Sequence, residues 1–123
     1  MITKMRYASV TVTDIDRALD FYVGKLGFHV VVQMPLPGNN QFVMVAPPEG
    51  GANLVFSLPF PGRPHAPSAS ISFETSDIST THAELTAKEV EFTRPPVKTP
   101  WGGQEAAFVD PFGNSYLLQQ GGF

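Results

Sequence analysis

Cysteine is absent from all 123 residues, which removes disulfides, thiolate metal sites and cysteine nucleophiles from consideration. Charge is scarce as well: 15% of residues are charged, the net charge is −3, and Lys4 and Arg6 are the nearest approach to a basic cluster. Neutralising phosphates supplies most of the affinity for nucleic acids, so no nucleic-acid partner is expected. No apolar run nears the roughly 20 residues that a membrane span requires. Met1 to Arg6 also lacks the apolar core of a signal peptide. The expected location is cytoplasmic, with no membrane partner. Gly-x-Ser-x-Gly, the Walker loop and the Rossmann glycine pattern are missing too, which sets aside hydrolase and nucleotide-binding readings.

What is present is enough apolar sequence for one core, at 42% hydrophobic residues, broken by 12 prolines and 11 glycines into many short segments. Those segments repeat. Val10-Thr11-Val12-Thr13-Asp14-Ile15-Asp16 returns in outline as Phe73-Glu74-Thr75-Ser76-Asp77-Ile78-Ser79. In the first copy Ile15, Ala18, Leu19, Tyr22 and Leu26 recur at helical spacing, with Asp14 as N-cap and Gly27 placed to end the helix in a left-handed conformation. In the second, Asp77 caps a helix that uses Ile78, Thr81, His82 and Leu85. Glu89 stands where the first copy has Gly27; a left-handed glutamate there costs on the order of 1 kcal/mol.

Alternating segments flank each helix and predict strands. They are Tyr7 to Val12, Phe28 to Met34, Gln41 to Val45 and Asn53 to Leu58, then Ser70 to Thr75, Val90 to Arg94, Gln104 to Val109 and Ser115 to Gln119. The turn Asp110-Pro111-Phe112-Gly113-Asn114 precedes the last strand, and Pro47-Pro48-Glu49-Gly50-Gly51 is its counterpart. Each copy therefore reads strand–helix–strand–strand–strand. The predicted division is module one over 1–58, a stiff proline-rich linker over 59–67, and module two over 68–123.

Two such modules resemble the vicinal oxygen chelate group, the glyoxalase/bleomycin resistance/dioxygenase superfamily. The residues that carry the likeness are Asp14, Phe21-Tyr22, Leu26-Gly27-Phe28, Pro100-Trp101-Gly102-Gly103 and Asp110-Pro111-Phe112-Gly113-Asn114, in that order along nearly the whole chain. The resemblance implies an α+β fold of two βαβββ modules, with curled mixed sheets forming a cleft, and a homodimer. Metal-dependent relatives place a ligand on the first and last strand of each module. Carried over, those positions are Tyr7 and Ser70, each seven residues before its capping Asp, together with Phe56 and Leu117. Family ligands are His, Glu or Gln, whose donors suit first-row divalent ions. Tyr and Ser offer only hydroxyls, and Phe and Leu offer nothing. Neither a metal site nor a cofactor is expected, and His29, His65 and His82 show no convergent spacing that would replace one.

Strand alternation then assigns faces. Tyr7, Ser9, Thr11, Ser70, Ser72 and Glu74 are expected on the cleft side, with Leu54, Phe56, Leu58, Ser115, Leu117 and Gln119. Met44 and Phe42 share a cleft-facing strand. Glu74 is the candidate catalytic base or counter-ion, or else a solvated strand-end carboxylate. Trp101 is a candidate to stack on a planar ligand or to act as a structural lid, and Glu105 to touch the ligand or to face water. The expected ligand-binding set is Tyr7, Ser9, Met44, Phe56, Ser70, Ser72, Trp101, Glu105 and Leu117. The leading expectation is a metal-free small-molecule-binding protein holding a partly apolar or aromatic ligand. The alternatives are a superfamily enzyme of lyase, isomerase or dioxygenase type, with an atypical metal site or a carboxylate base, and a structural or partner-binding dimer.

Overall fold

The computed structural model describes residues 1–38, 40–59 and 71–122. The chain divides into two compact units, Met1–Ala66 and Pro67–Phe123. In the first, β1 (Ala8–Thr11), α1 (Ile15–Leu19), β2 (His29–Leu36), β3 (Asn40–Ala46) and β4 (Leu54–Ser57) follow in order. In the second the same order recurs as β5 (Ile71–Glu74), α2 (Ile78–Ala87), β6 (Glu91–Lys98), β7 (Gln104–Val109) and β8 (Ser115–Gln120). Each unit forms one four-stranded mixed sheet, with strand orders β1-β4-β3-β2 and β5-β8-β7-β6. The first and last strands of each unit run parallel, and the other neighbours pair antiparallel. The expected α+β architecture of two βαβββ modules is what the chain adopts. The linker expected over 59–67 lies, apart from Pro59, outside the described residues.

Both helices start as the sequence predicts. The Asp14 carboxylate accepts from the Arg17 N–H at 3.1 Å, and the Asp77 carboxylate from the Thr80 N–H at 3.1 Å, so each satisfies a backbone donor that has no partner within its helix. The first helix departs from expectation further on. Beyond Leu19 it widens into a π-helical stretch, Asp20–Lys25, in which the Leu26 N–H donates to the Phe21 carbonyl at 2.9 Å. Phe21 and Tyr22 are consecutive and both buried. A wider turn reduces the angle between neighbouring side chains, which lets two adjacent aromatics face one core. Gly27, at φ 78, ends the segment as expected, and Glu89, at φ 66, is held left-handed at the end of α2.

The core of each unit lies between its helix and one face of its sheet. Val10, Val12, Val43, Val45 and Phe56 are buried on that face in unit one, where Tyr22 meets Phe56 at a ring separation of 5.2 Å. In unit two Phe73, Phe92, Phe108 and Tyr116 form a ring cluster, with Ile78 and Leu85 of α2 buried alongside. Beside them, the turn into β8 is a buried polar knot. Asp110 accepts from the Phe112 and Asn114 N–H groups at 2.9 and 2.8 Å, and from the Asn114 side-chain amide at 2.7 Å. A buried carboxylate needs such partners, since an unpaired one costs several kcal/mol, of order ~5.

Two outcomes follow from the helix ends. Glu89→Gly removes a side chain from a left-handed position and is expected to raise stability by about 1 kcal/mol, read as a higher urea midpoint at unchanged slope. A lower midpoint would show that the Glu89 side chain contributes more than its backbone costs. The Asp77 carboxyl is held below its ordinary value, first by the Thr80 backbone N–H and then by the Thr80 hydroxyl. A lowered folded-state value means that this stabilisation is present above the unfolded-state pKa and fades as pH falls through the folded one. Asp77→Asn is therefore expected to lessen the acid-side loss of stability in pH-dependent melts, and an unaltered acid limb would count against the capping account.

Candidate functional site

One helix covers one face of each sheet, and the opposite faces carry the candidate residues. Register fixes which side chains share that uncovered face, because directly paired residues point the same way. In unit one a row crosses all four strands as Ser9, Val55, Met44 and Val32. Beside it sit Tyr7, Phe42 and Met34. Tyr7 is 39% exposed and meets Phe42 edge-on at 6.4 Å. At the end of this face a cavity of about 700 Å³ is lined by residues that include Lys4, Met5, Arg6, Tyr7, Met44 and Asn53. Its lining sets Met5, Met44 and the Tyr7 ring beside the cations Lys4 and Arg6 and the polar Thr3 and Asn53, a mixed surface that suits a small, partly apolar guest.

The register also corrects one assignment. Phe56 pairs with Val10, not with Ser9, and is 4% exposed against Tyr22. It belongs to the helix-side core and not to the uncovered face, and so does Leu54, which pairs with Ala8 and is buried. The position that lies beside Ser9 is Val55. The assignment slipped because parity along β4 depends on its pairing with β1, more than forty residues earlier, and not on anything local.

In unit two the uncovered face has two complete rows. One runs Ser72, Leu117, Ala107, Arg94, and the next Glu74, Gln119, Glu105, Val97. Ser72, Glu74 and Leu117 are thus brought onto one face, as the alternation predicts, and Glu105 joins them; Ser70 lies outside the described residues. Four of these side chains are joined. Arg94 donates to Glu105 Oε1, Gln119 Nε2 donates to Glu105 Oε2 at 2.8 Å, and the Ser72 hydroxyl donates to Gln119 Oε1 at 2.5 Å. Glu105 is 13% exposed and Arg94 46%, so the ion pair is anchored at its acidic end and open at its basic end. The sequence reading singled out neither Arg94 nor the part Gln119 plays in this chain. The available signal was parity: both fall on the same face as Glu105 and Ser72.

The remaining candidates sit apart from this chain. Glu74 is exposed, and among the described residues it takes part in no ion pair. Trp101 lies on the β6–β7 turn and is 50% exposed. A Cβ at Gly122 would fall 2.7 Å from Trp101 Cδ1, so the indole edge rests on the backbone after β8. That contact favours the lid role for one side of the ring and leaves the other side free. His82 packs edge-on against Phe92 at 4.5 Å and His29 is exposed. Among the described residues no three His, Cys, Asp or Glu side chains gather into a metal-binding group, and Tyr7, Val55 and Leu117 at the strand positions discussed above are poor donors. Of the four carried-over chelate positions, Tyr7, Phe56 and Leu117 offer an ion no strong donor, and Ser70 lies outside the described residues. Among the described residues no helix is long and apolar enough to cross a membrane.

Comparison with known proteins follows the same lines. The model of the Glyoxalase/Bleomycin resistance protein/Dioxygenase superfamily matches residues 4–116. A crystal structure of a member of that superfamily from Sphaerobacter thermophilus DSM 20745 shares 38% identity and a TM-score of 0.86, over 98% of each chain. TnmS3, an antibiotic binding protein from Streptomyces sp. CB03234, shares 33% identity with a TM-score of 0.83, over 97% of this chain and 96% of its own. The uncharacterized protein YetH of Bacillus subtilis (strain 168) is 30% identical across 98% of this chain and 100% of its own length.

The Phe56 correction has a direct consequence for stability. Phe56→Ala is expected to cost about 3 to 5 kcal/mol by chemical denaturation, as a buried ring deletion does. A loss below about 1 kcal/mol would return Phe56 to the uncovered face, where a truncated side chain leaves no sealed cavity.

Proposed function

Because the chain belongs to the Glyoxalase/Bleomycin resistance protein/Dioxygenase superfamily, we propose that it is a small-molecule-binding protein that works without a metal ion. Its ligand is partly apolar or aromatic and lies against the uncovered sheet faces. The observation that carries this reading is the makeup of the first of those faces. Tyr7, Phe42, Met44 and Val55 stand together there, and Tyr7 occupies one of the four positions carried over from the chelate ligands of metal-dependent relatives. An exposed or half-covered apolar sheet face costs free energy in water, about 25 cal/mol per Å², and a flat hydrophobic guest recovers it. Met44 suits this role because its thioether is pliant and polarizable. TnmS3, similar over almost the full length, is an antibiotic binding protein, and binding of a comparably sized organic molecule is the function that transfers most directly. The binding form is a homodimer, as the resemblance implies, and its place is the cytoplasm.

A second reading is favoured by Glu74 alone. An exposed carboxylate with no ion-pair partner among the described residues, at the end of a face strand, is a group that can accept a proton from a bound substrate. In that case the protein is a superfamily enzyme that uses a carboxylate base. The two readings separate in one experiment. Protein treated with chelator is titrated with a panel of planar aromatic compounds by calorimetry and by Trp101 fluorescence. Binding predicts saturable heats that EDTA leaves unchanged, and Met44→Ala is expected to weaken affinity about tenfold, or ~1.4 kcal/mol. Ligand recovered chemically altered by the parent but unaltered by Glu74→Gln would establish the second reading instead. No saturable binding across the panel would defeat the first.

A further inference from the structure

The hydrogen-bond chain on the second sheet has a direction, and the direction follows from charge. Glu105 is paired with Arg94, and an ionised carboxylate only accepts. The group that Gln119 turns toward Glu105 must therefore be its amide NH₂, and Gln119 Nε2 donates to Oε2 at 2.8 Å. That leaves Gln119 Oε1 facing the other way, toward β5, where it can only accept. Ser72 lies there at 2.5 Å and has to spend its single hydrogen on it. Arg94 on β6 thus fixes, through Glu105 on β7 and Gln119 on β8, the proton of a hydroxyl on β5. A free serine hydroxyl rotates and serves as donor or acceptor at will. Ser72 has lost that freedom.

The chain frames an apolar floor. Leu117 sits beside Ser72 in register, and Ala107 sits beside Leu117. Glu74 stands next along β5 from this floor, beside Gln119, and as a carboxylate it too only accepts. Along the β5 side, then, the face offers lone pairs and no hydrogens.

We infer that the ligand held over Leu117 and Ala107 must present an O–H or N–H group to β5, where Ser72 is locked as a hydrogen-bond acceptor by the Arg94–Glu105–Gln119 chain. This deepens the binding reading above and rests on it. The ligand class is a flat apolar or aromatic molecule bearing a hydroxyl or amine on one edge. Its analogue with that edge capped as an ether leaves Ser72 and Glu74 facing an acceptor, which neither can satisfy. A bound ether would cover these two acceptors, which are exposed in the free protein, without supplying a hydrogen to either, and that mismatch weakens its binding.

The test uses a matched pair of probes, 1-naphthol and 1-methoxynaphthalene, titrated into the full chain and followed by NMR shifts of the Leu117 methyls and the Gln119 side-chain amide on one face and the Met44 methyl on the other. The naphthol is expected to bind about five- to tenfold more tightly than its ether, the range of one hydrogen bond. Gln119→Leu leaves Ser72 and Glu74 in place but frees the Ser72 hydrogen, so the preference should shrink to less than about twofold. Ser72→Ala, at an exposed position that does not threaten folding, should reduce it as well. Equal affinity for both probes in the parent protein would overturn the inference and leave the binding reading standing. Full preference retained in Gln119→Leu would show that the chain does not set the polarity, and would overturn it too. If neither probe moves any signal on either uncovered face at millimolar concentration, the binding reading fails and the inference fails with it.

Discussion

A four-stranded sheet has two faces, and among the described residues each unit of this protein supplies one helical segment to cover them. That shortage shapes the rest. The covered faces take the large residues: Val10, Val43, Val45 and Phe56 in one unit, and Phe73, Phe108 and Tyr116 in the other. The covering helices are short, so they must pack densely. In the first unit the helix widens over Asp20–Lys25 to put Phe21 and Tyr22 on the core together. The uncovered faces have a different obligation. Whatever lies on them must tolerate water, and on the binding reading proposed above it must also profit from a guest.

The two units meet that obligation with different chemistry, although they repeat one topology. In the first, the row Ser9–Val55–Met44–Val32 is mostly apolar. In the second, Ser72, Glu105, Gln119 and Arg94 build a polar frame around Leu117 and Ala107. The edges differ as well. β6 carries Glu91, Arg94 and Lys98 with two consecutive prolines, which blunts its free edge. Its counterpart β2 holds His29 and Gln33 among apolar residues, of which Val30, Val31, Met34 and Leu36 are exposed. An edge of that composition is one that a second chain can cover. Divergence between the copies has thus run along the uncovered surface as well as through the helix-side cores, valine-rich in the first unit and aromatic in the second.

What could be read from the sequence was what local physics controls. Asp14 and Asp77 announce their helices because a cap needs only the residues that follow it. Gly27 and Glu89 share a left-handed backbone because both end the same helix of the repeat. The strands were legible from alternation, and β7 was read to its exact ends. Phe56 was misplaced for the opposite reason. Its side depends on parallel pairing with β1, and a single step of register exchanges every side chain on the strand. Parity put Ser72 and Gln119 on one face, but their joining to Glu105 and Arg94 was not legible, since the chain draws one residue from each of four strands and no spacing links them. The π-helical turn left only a faint trace, two adjacent aromatics that an ordinary helix would have splayed apart.

The polar chain also bears on why this face does not resemble a coordination site. A carboxylate on an uncovered strand face is the kind of group a divalent ion recruits, and Glu105 is such a group. Both of its oxygens are already committed, one to a guanidinium and one to an amide. For an ion to claim Glu105, the pair with the exposed Arg94 would have to break or be displaced at its half-buried acidic end. Its neighbours in the two rows, Leu117, Ala107 and Val97, bring no donor to complete a shell. Gln119 could contribute its carbonyl oxygen only by turning its NH₂ away from Glu105, which would undo the same chain. The fold therefore keeps the geometry in which strands converge on one face, while the residues on it convert a place for charge into a place for directional hydrogen bonds.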